Sequence, residues 1–287
     1  MSESAREPRA TVCISVDFDA VSLWMQWGAR GVRALSRGEF GATVGAPRLL
    51  ELFQRYGLIT TWFVPGHTAD TYPQVTARVS AEGHEIANHG YLHEEFGALT
   101  DDAVRTILRK ANDSLQRVTG QRPEGFRLPA GDATGTLFEV LVEEGFSYDS
   151  SLYGHDFQAY WCRSQDQLSE TEGNVLGEPI DLVEVPSVLM MNDFHHFEFN
   201  YGNPSLIGHD DADHVYQIWR AQFDFMWERY SGSMLMVLLH PQCIGQGMRM
   251  GMLEQFIEHC LSKEGTVFRS ASTVASEFRE REANVRT

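Results

Sequence analysis

A chain of 287 residues, 43% of them hydrophobic and carrying a formal net charge of −17, can bury one barrel-sized core. It lacks the clustered Lys and Arg that would neutralise a nucleic-acid backbone. No run approaches the roughly 20 apolar residues that span a bilayer, and the opening MSESAREPRA has no apolar signal-peptide core, so the expected setting is cytoplasmic, without nucleic-acid or membrane partners. The cysteines Cys13, Cys162, Cys243 and Cys260 are widely spaced with no Cys-x-x-Cys pair, which fits reduced structural thiols better than a disulfide framework or a cysteine-built zinc site.

After a disordered leader over residues 1–10, residues 11–17 (TVCISVD) form an apolar, β-rich run that stops at Asp17, with Asp19 just beyond. Residues 20–45 mix Trp24, Trp27, Arg30, Arg33 and glycines without clean periodicity. They read as a long, partly structured loop, a length that tends to be functional. Pro47 opens a helix that Gly57 closes, and residues 59–64 (ITTWFV) make a second buried strand leading into PGH. The same Pro-start, Gly-stop pattern covers residues 73–83, and residues 84–88 form a short strand that leads into HGYLH. Thr100 caps a helix through Val118, with Val104, Ile107, Leu108, Ala111 and Leu115 on one stripe and Asp101 and Asp102 at the positive end of its dipole.

Strand 126–128, helix 136–144 and strand 146–149 continue an alternation that favours a wound parallel α/β architecture. Residues 150–179 break the pattern with a polar, aromatic-bearing stretch, room for a substrate-facing insertion, before residues 181–186 (DLVEVP) restore a strand. The following loop, 187–204, gathers His195, His196 and several aromatic residues without periodicity. An amphipathic helix over 214–230 precedes the most apolar strand of the chain, 234–239 (MLMVLL), which delivers His240 at its carboxyl end. Helix 251–264, strand 266–268 and helix 273–281 close the chain.

His89 and His93 stand four apart, so a helical turn over residues 88–94 would place both imidazoles on one face, about 5–6 Å apart at Cβ. Such a pair can share one metal ion and asks for a carboxylate from elsewhere, with open positions left for water. In a chain with 11 His the pair is weak evidence by itself. Position adds more: Asp17, Asp19, His89, His93, Arg127 and His240 each fall at or just past the carboxyl end of a predicted strand. In a parallel barrel those ends converge on the face where active sites are built.

Five segments carry a resemblance: SVDFDA (15–20), TWFVPGH (61–67), GHEIANHGYLH (83–93), RLP (127–129) and LLHP (238–241). In this order and spacing the chain resembles the polysaccharide deacetylase family, the NodB-homology group of carbohydrate esterases. It is most similar to the cytosolic branch with allantoinase-like and cyclic-imide-hydrolysing members. The resemblance implies a distorted (β/α) barrel of about seven parallel strands, related to the TIM barrel, with residues 11–283 as one catalytic domain.

It further implies that Asp19, His89 and His93 hold one divalent metal ion, zinc, that Asp17 is the general base oriented by Arg127, and that His240 is the general acid. Trp24, His67 and Pro129 are further candidates for touching substrate, and assembly into a homo-oligomer is expected. The implied activity is hydrolysis of a non-peptide carbon–nitrogen bond, removing N-acetyl groups from a sugar or glycan fragment. Glycan-acting members commonly carry a tryptophan-bearing Asp-Trp motif, yet this chain has Ser187 and no Trp after DLVEVP. A small cyclic imide or ureide therefore stands as a second substrate class. A catalytically silent ligand-binding relative is the reading of another class, and intact Asp17 and His240 argue against it.

Overall fold

The computed structural model describes residues 8–199, 208 and 210–285. Among the described residues nine strands build one sheet: β1 (Ala10–Asp17), β2 (Thr61–Val64), β3 (Glu85–Asn88), β4 (Gly125–Phe126), β5 (Tyr148–Asp149), β6 (Tyr160–Arg163), β7 (Pro179–Glu184), β8 (Ser233–Leu239) and β9 (Thr266–Phe268). The order is β6-β7-β5-β4-β3-β2-β1-β8, and β9 lies on the first half of β1 before β2 takes over at Ser15. Every pairing is parallel except β6 with β7. With helices between most strands, this curled sheet is the expected distorted (β/α) barrel. The strands outnumber the expected seven by two: the short β9 adds a parallel strand beside β1, and the irregular 150–179 stretch contains the antiparallel β6. Of the leader expected over residues 1–10, residues 1–7 lie outside the described residues, and Ala10 already belongs to β1.

Strand parity decides what reaches the site. Along β1, Cys13, Ser15 and Asp17 share one face; on β8 and just beyond it, Met234, Met236, Leu238 and His240 do the same. Cys13, Phe63, Ala87, Tyr148, Val183 and Met236 pack together inside the curl, and Ala271, Val274, Ala275 and Phe278 of the last helix fill its amino-terminal end. The opposite face of the sheet, with Val12, Ile14, Trp62, Leu235 and Val237, packs on Leu49, Phe53, Trp219, Phe223 and Phe256 of the surrounding helices. Both faces are thus covered, as near-continuous apolar strands require. The carboxyl end alone remains for polar residues.

The stretch expected to be a loop, 20–45, is mostly helical: Ser22–Gln26, Val32–Phe40 and a π-helical turn, Gly41–Gly45, that runs straight into Ala46–Tyr56. Its glycines serve close packing. A Cβ on Gly38 would sit 2.3 Å from the Ala20 carbonyl oxygen, and one on Gly45 would sit 2.1 Å from that of Pro241. No helix among the described residues is long and apolar enough to cross a membrane.

Candidate active site

The site begins where β1 leaves the sheet. Phe18 keeps the ladder for one more step, its N–H donating to the Phe63 carbonyl at 2.9 Å, and its buried ring packs edge-on against Trp62. Ala20 then turns the chain at φ 47°, a left-handed conformation uncommon for a residue with a Cβ. The Asp19 carbonyl, accepting from Ser22 Oγ at 2.6 Å and Thr68 Oγ1 at 2.7 Å, fixes that turn. Both carboxylates consequently reach one place. His89 Nε2 lies 3.7 Å from Asp17 Oδ2 and 3.5 Å from Asp19 Oδ1.

The segment after β3 corrects the expected helical turn. Gly90 at φ 69° and His93 at φ 59° are both left-handed, and the Glu94 carboxylate accepts from the N–H groups of Tyr91 and Leu92 at 2.9 Å each. The result is a tight loop in which a side chain occupies donors that a helix would have turned inward. The two imidazoles still meet, with ring centroids 5.1 Å apart.

Three side chains here match a divalent metal. Both Asp19 carboxylate oxygens and His89 Nε2 are buried with no hydrogen bond at ordinary length, His93 turns Nε2 to 3.8 Å from Asp19 Oδ1, and one donor atom from each residue lies within 4.8 Å of the others. His89 donates its Nδ1–H to the Arg127 carbonyl at 2.8 Å, so its lone pair is on Nε2, facing Asp19. Burial lowers the pKa of His89 to about 4 and holds His93 well below the ordinary value. Both rings are therefore neutral, the form in which imidazole binds a metal. Burial, reinforced by the charge of Asp17, raises Asp19 to about 7 despite the nearby His240. A carboxylate buried this deeply, with the Gln242 side chain as the neutral group beside it, is costly unless a cation faces it, and two imidazole nitrogens with one carboxylate oxygen form a donor set suited to a transition metal.

Asp17 has a different environment. Burial alone would raise its pKa, but the Arg127 guanidinium, with His89 and His240, holds the carboxyl below its usual range. Arg127 is itself pinned: Nη1 donates to Asp17 Oδ1 at 2.7 Å and Ser15 Oγ at 2.9 Å, Nε to the Ser150 carbonyl at 2.9 Å, and Nη2 to Ser150 Oγ at 2.8 Å. Its guanidinium carbon lies 3.9 Å from the centre of the Phe63 ring.

Across from this pair, His240 places Nε2 3.8 Å from both Asp17 Oδ2 and Asp19 Oδ2. Its Nδ1 donates to Asp193 Oδ1 at 2.8 Å, and its backbone N–H to Asp193 Oδ2 at 2.9 Å. Burial would lower the imidazole pKa, but the hydrogen bond and charge of Asp193, with Asp19 and Asp17, raise it to about 9. Asp17, Asp19, His93, Arg127 and His240 border a cavity of about 290 Å³, whose wall is completed by Trp27, Pro129, Tyr153, Ser187, Phe194 and His195 among others.

A family model described as polysaccharide deacetylase matches residues 39–148. The peptidoglycan deacetylase of Helicobacter pylori (strain ATCC 700392 / 26695) is 31% identical, the alignment covering 94% of this chain and 96% of that protein. The chain belongs to the polysaccharide deacetylase family. It is accordingly a hydrolase acting on carbon–nitrogen bonds other than peptide bonds. A crystal structure of a putative polysaccharide deacetylase from Mycobacterium smegmatis superimposes with a TM-score of 0.84 at 27% identity, covering 98% of this chain and 94% of the other. PuuE allantoinase shares the fold, with a TM-score of 0.79 at 23% identity over 96% of this chain and 92% of its own.

Of the residues expected from the polysaccharide deacetylase resemblance, Asp17, Asp19, His93, Arg127, Pro129 and His240 line the cavity, and His89 lies directly behind it. Trp24 and His67 do not. Trp24 is 4% exposed, with Arg37 stacked over its ring at 4.5 Å, and Trp27 takes the place in the wall. His67 sits on the helix Gly66–Thr71 and packs edge-on against Tyr91. His195 reaches the wall, whereas His196 turns away to Asp210 and the Met190 carbonyl. Residues 200–204 of the loop 187–204 lie outside the described residues.

Asp193, Ser150 and Tyr153 were not foreseen. Asp193 opens the short helix Asp193–Phe197 inside an aperiodic loop, 47 positions from the histidine it holds, so no spacing announces the pair. Ser15 was legible in principle, since on β1 it shares a face with Asp17.

Proposed function

We propose that this polysaccharide deacetylase relative removes N-acetyl groups from a sugar substrate, with Asp17 as general base, His240 as general acid, Arg127 as the group orienting Asp17, and Asp19, His89 and His93 holding one divalent ion, zinc. Residues 11–283 act in this reading as one catalytic unit, which is supported by the pairing of Ala10 with Thr266 from opposite ends of the chain. A metal held by these three residues supplies water of lowered pKa and polarises the scissile carbonyl.

The remaining chemistry belongs to the chain. Asp17, kept ionised and fixed in direction by Arg127, accepts the proton of the attacking water through Oδ2, the oxygen that the guanidinium leaves free. His240, charged at neutral pH and presenting Nε2–H, delivers a proton to the departing nitrogen. Breaking the amide thus frees acetate and the amine of the sugar. Phe194, whose ring centroid lies 4.9 Å from that of His240, and Trp27 beside it limit water at the acid.

The observation that carries this reading is the meeting of an arginine-held carboxylate, an aspartate-held imidazole and three buried metal-type donor residues at one cavity. A small cyclic imide or ureide is the second reading. It is favoured by the cavity volume, about 290 Å³, at the lower edge of ligand pockets, and by Ser187 in the wall where glycan-acting relatives are expected to bring tryptophan.

The test is elemental analysis of the purified protein together with hydrolysis of an N-acetyl-chitooligosaccharide and of a small cyclic imide, for wild type, Asp17→Asn and His89→Ala. The reading expects about one zinc per chain in wild type and Asp17→Asn, loss of zinc in His89→Ala, and acetate release from the oligosaccharide that falls on the order of 10²-fold or more in Asp17→Asn. Turnover of the imide alone selects the second reading. A wild-type protein that hydrolyses either substrate equally well with and without chelator would sink the role given to the metal.

A further inference from the structure

Asp149 ends β5 and Glu184 ends β7, and the parallel register sets them directly opposite each other. Both are fully buried. Two carboxylates opposite one another on adjacent strands repel, and among the described residues no Lys, Arg or His forms an ion pair with either. Their hydrogen bonds differ. Asp149 accepts twice from one residue, from Ser151 Oγ at 2.7 Å on Oδ1 and from Ser151 N–H at 3.0 Å on Oδ2. Glu184 accepts from the Leu152 N–H at 2.9 Å on Oε1 and from the weak Cys162 thiol donor at 3.7 Å on Oε2, and a side-chain hydrogen bond joins the two carboxyls. Burial raises both carboxyls, and the charge of Asp149 raises Glu184 further; because Ser151 supplies a donor to each oxygen of Asp149, the charge is placed on Asp149 and the proton of that hydrogen bond on Glu184.

What this pair holds is the seat of Arg127. Ser151 Oγ, donating to Asp149, accepts from the Leu128 N–H at 2.9 Å, one residue after the arginine. Ser150, immediately before Ser151, takes Arg127 Nε on its carbonyl and Nη2 on its hydroxyl, and that hydroxyl donates onward to the Val185 carbonyl at 2.7 Å, one residue after Glu184. The two strand ends thereby clamp residues 150–152 from both sides.

We propose that Asp149 and Glu184 form a buried acid–carboxylate pair, sharing one proton carried by Glu184, that positions Arg127 against Asp17. The inference rests on Arg127 orienting the base, as proposed above, and the test separates the two. Neither Asp149 nor Glu184 lines the cavity; Ser150 and Ser151, which do, carry the effect of the pair to Arg127.

Glu184→Gln replaces the shared proton by an amide N–H and keeps the acceptor for Leu152, so it is the conservative rescue. Asp149→Asn turns one acceptor into a donor facing the Ser151 N–H or hydroxyl. Ser151→Ala keeps both carboxyls but removes the hydroxyl that joins Asp149 to the Leu128 N–H, and serves if Asp149→Asn does not fold.

Two quantities are read: hydrogen exchange of the Arg127 Nε–H, identified by its absence in Arg127→Lys, and acetate release from an N-acetyl-chitooligosaccharide. Glu184→Gln should leave the exchange slow and keep kcat within about threefold of wild type, while Asp149→Asn and Ser151→Ala should speed the exchange and lower kcat about tenfold or more with KM little changed. In an Arg127→Ala background Asp149→Asn should change kcat less than about twofold, because sites acting in series do not add.

Unchanged exchange in both Asp149→Asn and Ser151→Ala overturns the positioning. So does Glu184→Gln failing as badly as Asp149→Asn, or an Asp149→Asn loss undiminished by Arg127→Ala. If exchange behaves as expected but Arg127→Ala retains full turnover, the positioning stands and the role given to Arg127 is wrong.

Discussion

Asp193 makes the chemistry proposed for His240 possible. An imidazole this deeply buried would lose its proton at neutral pH, and the carboxylate on Nδ1 both reverses that tendency and turns Nε2 toward Asp17 and Asp19. Asparagine cannot copy the arrangement, since Asp193 accepts on both oxygens, from the His240 ring and from its backbone N–H. Asp193→Asn should therefore lower kcat on the order of 10²-fold or more, while zinc per chain by elemental analysis matches wild type. Loss of the metal together with activity would mean instead that Asp193 supports the ligand cluster. The sequence announced the ends of this chain of contacts but not its middle: His240 follows an unmistakable apolar strand, whereas Asp193 lies in an aperiodic loop and is tied to it only by the fold.

Elements explain where the reading from sequence succeeded. β1 and β8 are buried at every position, so apolar runs marked them, and the polar residue ending each run fell at the site by the geometry of a parallel sheet. It failed where glycine has a second use. Gly38 looks like a breaker within 20–45, yet it lies inside the helix Val32–Phe40 because only a residue without a Cβ lets that helix rest on the Ala20 carbonyl. The contact braces the left-handed turn after Asp19, so Gly38→Ala should lower stability by about 1–3 kcal/mol in denaturant melts and reduce metal retention at the same time; an unchanged melt would show that the turn is held elsewhere. β5 and β7 carry a pH dependence of their own. Glu184 is raised in the folded state, chiefly by burial, above the ordinary carboxyl value of about 4.3 that it has when unfolded. Folding thus takes up a proton above that pH. The stabilisation is full below the unfolded value and is lost as pH rises toward the folded one, by at most about 1.4 kcal/mol per pH unit. Glu184→Gln has no such proton, so its stability relative to wild type should climb between pH 5 and 8 (about that span), and parallel curves for the two proteins would contradict the shared proton.

For the whole molecule the site is an electrostatic load placed where the fold can least shield it. A net charge of −17 surrounds a pocket that already holds Asp17 and Asp19 with their oxygens facing one imidazole nitrogen, and self-repulsion of this kind opposes the compact state. Asp19 comes from the end of β1 and both histidines from the loop after β3, so the cation proposed between them would tie two separate strand ends on either side of β2. Ligation therefore couples to folding. An ion present at a hundred times its dissociation constant adds about 2.7 kcal/mol to stability, and a chain of this size shifts by about 2–4 °C per kcal/mol. Removing the metal with a chelator should then lower the melting temperature by about 5–10 °C, restored by adding zinc, while His89→Ala should melt near the chelated value and ignore both treatments. Calcium or magnesium should restore less, because imidazole nitrogens favour a transition metal over these oxygen-seeking ions. If wild type and His89→Ala melt alike with and without chelator, no ion crosses the strand ends, and the unpartnered oxygens of Asp19 must be met by protonation, to which its raised pKa already inclines.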